Sequence, residues 1–149
     1  MNQKQENAYG LVPNSVRAEL LELAVSAAKD EGVLLQLGDE KLLEQIDDLL
    51  DSLHHGLKKI KDKNQKEEIT HGAAMEYAAC IIDLIERTQD QKGKWFYHHK
   101  VIGTNTLPYV IGDKTVFPYA WALKRIENPE SDSVYDKFTQ LLPSQPKQS

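Results

Sequence analysis

The sequence predicts an α+β fold: a three-helix antiparallel bundle, then a small antiparallel β-meander or hairpin, then one or two short C-terminal helices. Two observations support this prediction. Apolar residues recur at helical spacing up to about residue 91, and beyond Gly93 the pattern changes to aromatic and β-branched runs separated by turn residues. Because a chain of 149 residues is the size of one domain, we expect a single core.

The central helix of the bundle is predicted at about residues 65–90, because this segment is apolar on most of its circumference. Its polar side is a thin acidic strip, so neighbouring helices must cover the rest. Asn64 followed by Glu67 resembles a capping box that would begin the helix. Two amphipathic helices, at about residues 15–29 and 39–61, precede it and are joined to it by short links, which favours antiparallel packing.

The second half of the chain predicts a small sheet and two short helices. Residues 95–102 and 107–111 are typical of strands, and Gly112-Asp113 suits a two-residue type II′ loop that leads to a return strand at residues 115–117. Helical spacing returns at residues 119–127. Ser133 is expected to cap one more short helix, within the segment 128–142.

The charges divide this single domain, residues 1–149, into two parts of opposite sign. Residues 14–91 form an acidic helical part. Residues 92–127 form a basic aromatic part. Within it, residues 92–126 contain six basic residues and one acidic residue, a net charge of +5, so the other residues of the chain carry −10 of the total of −5. We expect residues 1–13 to be a flexible N-terminus and residues 143–149 to be a disordered tail.

The composition predicts a cytoplasmic protein. With 40% hydrophobic and 28% charged residues, the chain has too many apolar residues for a disordered protein and too many charges for a membrane protein. Its longest uncharged run, residues 101–112, is too short to span a bilayer, so no membrane partner is expected. The N-terminus lacks the apolar core of a signal peptide, and the single cysteine, Cys80, has no disulfide partner.

Two acidic pairs are the best candidates for a catalytic site. Glu19 with Glu22 and Glu44 with Asp47 project from helices that are predicted to be neighbours, and carboxylate oxygens are the ligands that Mg²⁺ prefers. Residues 18–24 and 44–50 locally resemble the all-α NTP pyrophosphohydrolases. That resemblance implies a Mg²⁺-dependent nucleotide pyrophosphohydrolase in which these four carboxylates bind the metal and a water attacks the phosphate chain.

A structural interpretation accounts for the same four acids, because each lies opposite the leucine stripe of its helix, where solvated carboxylates are expected. The histidines do not indicate a metal site either. Four of the five form two adjacent pairs, His54-His55 and His98-His99, whose members point in different directions, and His71 stands alone as an expected cap or packing residue. No His-x-x-x-His spacing or phosphate-binding glycine loop is present. On this interpretation the protein has no catalytic residue, no metal and no cofactor.

The basic aromatic part predicts a surface that binds a partner. Aromatic rings beside cations are typical of protein-interface hot spots and also of single-stranded nucleic-acid sites. The predicted partner-binding residues are Trp95, Tyr97, His98, Lys100, Trp121, Lys124 and Arg125. An alternative is that the strand aromatics Trp95, Tyr97, Tyr109 and Phe117 are the inner face of the sheet.

These observations favour a non-catalytic interaction or regulatory protein that binds an acidic macromolecular partner, most simply another protein. The nucleotide hydrolase is the first alternative. Nucleic-acid binding is the second, and it is disfavoured because the charge of −10 elsewhere opposes phosphate binding. Homo-oligomerisation stays open.

Overall fold

The computed structural model describes residues 10–98 and 106–141. It confirms the predicted α+β fold, with a bundle of helices followed by a three-stranded antiparallel sheet and shorter helices. Lys100, most of the expected flexible N-terminus and the expected disordered tail lie outside the described residues. The elements are α1 Asn14–Asp30, α2 Lys41–Leu57, α3 Lys63–Gln89, β1 Lys94–Trp95, β2 Tyr109–Ile111, β3 Lys114–Val116, α4 Pro118–Glu127 and α5 Val134–Leu141.

Helix α3 is the centre of the core, as predicted. It packs extensively against α1 and α4, while α2 packs mainly against α4 and α5. The apolar side chains of α3, such as Ala78, Ile81 and Ile85, are completely buried. The predicted cap at Asn64 is wrong, because the Asp62 side chain accepts hydrogen bonds from the backbone N–H groups of Asn64 (2.9 Å) and Gln65 (3.2 Å). Asp62 therefore caps the helix, which begins at Lys63.

Helix α2 is shorter than predicted. It ends at Leu57, whose carbonyl accepts the Ile60 N–H in a turn, although the apolar periodicity continues to Ile60. The predicted Ser133 cap of the last helix is confirmed by the hydrogen bond from the Asp136 N–H to the Ser133 hydroxyl, 3.0 Å.

The sheet has the order β1-β2-β3, and both strand pairs are antiparallel. Ile111 pairs with Lys114 across the predicted two-residue loop, and Gly112 adopts a φ of +59°, as the first position of a type II′ turn requires. Residues 10–12 extend the edge of the sheet through hydrogen bonds between Val12 and Trp95 and between Gly10 and Tyr97.

Among the described residues, no helix is long and apolar enough to cross a membrane.

Candidate partner-binding site

The predicted catalytic residue Asp47 has a structural role at the start of α5. It is 9% exposed, and its two carboxylate oxygens accept hydrogen bonds from the backbone N–H groups of Val134 (2.8 Å) and Tyr135 (3.2 Å). Arg125 Nε lies 3.6 Å from the same carboxylate. Burial raises the pKa of Asp47, and the two N–H donors and Arg125 offset this only in part. Asp47 is thus the carboxylate that caps α5.

The other three predicted ligands do not combine with Asp47 into a metal site. Glu19, Glu22 and Glu44 are exposed, and α1 packs on α3 whereas α2 packs mainly on α4 and α5. Within residues 10–98 and 106–141, no group of three or more His, Cys, Asp or Glu side chains is arranged to hold a metal ion. The geometry of these residues gives the nucleotide hydrolase no support.

A buried carboxylate on α3, Glu86, organises the contact between α1, α3 and the sheet. Its Oε2 atom accepts hydrogen bonds from Tyr109 Oη (2.7 Å) and the Gly93 N–H (2.9 Å), and Arg17 Nη2 lies 2.9 Å away. Burial disfavours the charged form of Glu86, but these three partners outweigh it, so the pKa of Glu86 is lowered. Sequence reasoning missed this cluster because Glu86 lies on the acidic strip of α3 that was expected to face water.

The structure removes Trp95 from the predicted partner-binding surface. Its side chain is 0% exposed, and its indole N–H donates a hydrogen bond to the Leu107 carbonyl at 3.0 Å. Trp95 is therefore a core residue, as the alternative interpretation of the strand aromatics proposed. Tyr97 and His98 are half-buried next to Gly10, with their ring centroids 6.3 Å apart.

The predicted partner-binding cations Lys124 and Arg125 lie in different surroundings. Arg125 is directed toward Asp47 and its side chain is only 16% exposed, so it belongs to the interior and not to the predicted surface. Lys114, another cation of the basic aromatic part, donates a hydrogen bond to the Leu141 carbonyl at the end of α5, 3.1 Å. Lys124 is exposed and lines a pocket together with Trp121, whereas Arg125 does not line that pocket. Successive residues on a helix point about 100° apart, so Lys124 and Arg125 face different surroundings.

Trp121 and Lys124 line a pocket of about 420 Å³, which we call the α4 pocket. Phe117, Trp121 and Lys124 are spaced i, i+4 and i+7, so they lie along one side of α4, which begins with Pro118 in its first turn. Lys137 of α5 closes the pocket, with its ammonium 3.4 Å from Asp132. Among the described residues that line the pocket, none is acidic. It therefore offers aromatic walls and two ammonium groups.

Sequence reasoning identified Trp121 and Lys124 but missed Phe117 and Lys137 as members of one site. The spacing of Phe117 from Trp121 is a signal that would have found the first. Lys137 carries no such signal, because it reaches the pocket only where Asp47 docks α5.

Comparisons of the chain with protein-family models, with curated proteins and with solved structures found no match.

Proposed function

We propose that the protein is a non-catalytic interaction protein that binds an acidic segment of another protein at the α4 pocket. An apolar side chain of the segment lies against Trp121, and carboxylates next to it lie beside Lys124 and Lys137. The observation that carries this proposal is the combination of half-buried aromatic walls with two ammonium groups in one pocket without an acidic residue among its described lining.

The chemistry of the pocket fits such a segment. A tryptophan face buries a large apolar area with little loss of conformational entropy, which is why tryptophan is common in binding hot spots. A volume of about 420 Å³ has room for one or two anchoring side chains rather than for a large ligand. The two lysines favour carboxylates and disfavour basic segments, so they supply specificity and a faster association rate. We expect the cytoplasm as the setting, because Cys80 is a buried free thiol.

The test is fluorescence anisotropy with labelled acidic peptides that carry either a central Leu-Phe anchor or Gly-Gly in its place. Only the anchored peptide should bind, and its affinity should fall as salt is added. Lys124→Glu should weaken binding by about tenfold, which corresponds to about 1.4 kcal/mol. The matched control is Lys61→Glu, at an exposed lysine between α2 and α3, and it should leave the affinity unchanged.

Acrylamide quenching supplies a second readout. Trp95 is 0% exposed and Trp121 is half-buried, so the quenchable emission comes from Trp121 and should fall when the anchored peptide binds. Equal binding of both peptides, or an unchanged affinity of Lys124→Glu, would refute the proposal. A labelled single-stranded oligonucleotide in the same assay tests the nucleic-acid alternative: if it alone binds and Lys124→Glu weakens it, the site is a nucleic-acid site instead. Arg125 is unsuitable for such a test because reversing its charge would place two acids together in the interior.

A further inference from the structure

A second concave surface lies between the C-terminal end of α1, the second half of α2 and the first half of α3. It has a volume of about 700 Å³, and we call it the acidic groove. Its floor is apolar and includes Leu49, Leu53, Ile69 and Ala73. Because α2 makes only slight contact with α3, three helices surround a space into which a further helix would fit as in a four-helix bundle.

The charges along the acidic groove all have one sign. Its lining contains Glu31, Glu68 and Glu76, and no lysine or arginine of the described residues lines it. Glu76 is half-buried, and among the described residues it has neither an ion pair nor a hydrogen bond through its carboxylate. Burial accordingly raises the pKa of Glu76. A carboxylate in this situation gains most from a cation that arrives with apolar surface and excludes water.

Two glycines in the groove are required neither by the backbone conformation nor by close packing within the described residues. Gly56 and Gly72 are in helices, and neither has a positive φ. A Cβ atom would meet nothing within 4 Å at Gly56, and at Gly72 only Glu76 Oε2 at 3.7 Å, an ordinary contact. Alanine would thus fit at both positions and would favour the helices, since glycine is a weak helix former. What the glycines do provide is bare backbone surface that another backbone can approach closely.

The geometry points to the acidic groove as a docking site for a cationic amphipathic helix of a partner protein, with a lysine or arginine of that helix paired to Glu76. From Ile69 to Tyr77 the groove follows α3 for about 12 Å, which is the length of about two turns, so the partner needs apolar anchors at i, i+4 and i+7 with basic residues between them. A second copy of this chain is a poor occupant. Its exposed apolar residue on α1, Leu23, lies beside the acids Glu19 and Glu22.

The probe for this proposal is a labelled 16-residue helical peptide with leucine at the anchor positions and lysine between them, titrated into the full chain and followed by anisotropy. The same peptide with glutamate in place of lysine should not bind. Glu76→Gln should weaken binding by about tenfold, the effect of one partly buried charge pair. Its matched control is Glu19→Gln, an exposed acid on α1 outside the groove, which should leave binding unchanged.

Two substitutions of Gly72 distinguish docking in the acidic groove from a general attraction between opposite charges. Gly72→Leu fills the groove and should abolish binding, whereas Ser26→Leu, at an exposed position of α1, should have no effect. If Gly72→Leu does not fold, Gly72→Ala is the variant that distinguishes the two kinds of binding. This substitution should raise the urea midpoint of the free protein, because alanine favours the helix. It should still weaken the binding of the peptide at least threefold, because the added methyl group blocks the close approach of the two backbones.

The proposal is overturned if the peptide does not bind, if it binds all groove variants as well as the parent chain, or if Gly72→Ala binds as tightly as glycine does. Sedimentation of the free protein tests whether a second copy of the chain occupies the groove. If the free protein is a dimer that Gly72→Leu dissociates, the occupant is a second copy and not the helix of a partner, and the proposal is overturned. These outcomes are independent of the α4 pocket, since Lys124→Glu should not change the affinity for the cationic peptide.

Discussion

Replacing Glu86 with alanine should destabilise the protein more than any exposed acid would. The substitution leaves Arg17, only 16% exposed, without its counter-charge at 2.9 Å, and it leaves the Gly93 N–H and the Tyr109 hydroxyl without their acceptor. Breaking a buried ion pair from one side costs about 3–5 kcal/mol, and each buried donor left unpaired costs about 1–3 kcal/mol.

Water from the adjacent cavity, which Arg17 and Gly93 line, reduces this loss, so we expect a net cost of about 4 kcal/mol. Urea unfolding followed by far-UV circular dichroism measures it. With a slope of about 2 kcal/mol per molar, the midpoint should fall by about 2 M. Glu22 lines the same cavity but is exposed, so Glu22→Ala is the matched control and should change the free energy of unfolding by less than about 0.5 kcal/mol.

A double substitution tests the cause. Arg17→Met with Glu86→Leu removes both charges and fills the space with apolar atoms, so it should cost clearly less than Glu86→Ala alone. A shift of the midpoint by less than about 0.5 M in Glu86→Ala, or a double variant that is less stable than the single one, would contradict the role assigned to Glu86.

Three further predictions concern the same framework. Gly93→Ala should destabilise the protein by about 2–3 kcal/mol, because its Cβ would lie 2.6 Å from the Val110 carbonyl oxygen, and urea unfolding measures the loss. Asp47→Ala should speed hydrogen exchange at the amides of Val134 and the residues that follow it, since their acceptor is lost, at a cost of about 2 kcal/mol. The stability that ionised Glu86 contributes should be present above about pH 4.5 and be lost as the pH falls through its lower folded-state pKa, so the difference in unfolding free energy between the parent chain and Glu86→Gln should shrink in acid.

Each of these has a control in the same chain. Gly56→Ala introduces a Cβ with nothing within 4 Å and should not destabilise, in contrast to Gly93→Ala. Faster exchange throughout the molecule in Asp47→Ala, rather than at α5, would contradict its role as a cap. The difference measurement removes the opposite pH dependence of Asp47, whose pKa is raised by burial. A difference that stays constant from neutral pH into acid would refute the assignment to Glu86.

The elements that could be predicted are those whose signal is local. Helix α3 is apolar around most of its circumference, so its central position follows from the sequence without knowledge of its neighbours. The hairpin at Gly112 follows from turn chemistry, and the cap at Ser133 follows from the hydroxyl acceptor alone.

What could not be predicted depends on contacts between distant segments. Asp47 and Glu44 occupy similar positions on the acidic face of α2, and only the docking of α5 decides which is buried. Trp95 and Trp121 are both aromatic neighbours of basic residues, yet strand pairing places one in the core and helix α4 leaves the other half-buried. Trp121 and Lys124 do line one pocket, because their spacing along one helix brings them together, and their role in partner binding stays a prediction.

Part of the cap of α5 comes from Asp47, 87 positions before the Val134 amide that it accepts a hydrogen bond from, and Ser133 supplies the rest. Since α2 is synthesised before α5, Asp47 cannot bind the α5 amides until α5 has left the ribosome, and its carboxylate stays hydrated up to that point. The α4 pocket likewise forms only after α5 has docked, because Lys137 arrives with that helix.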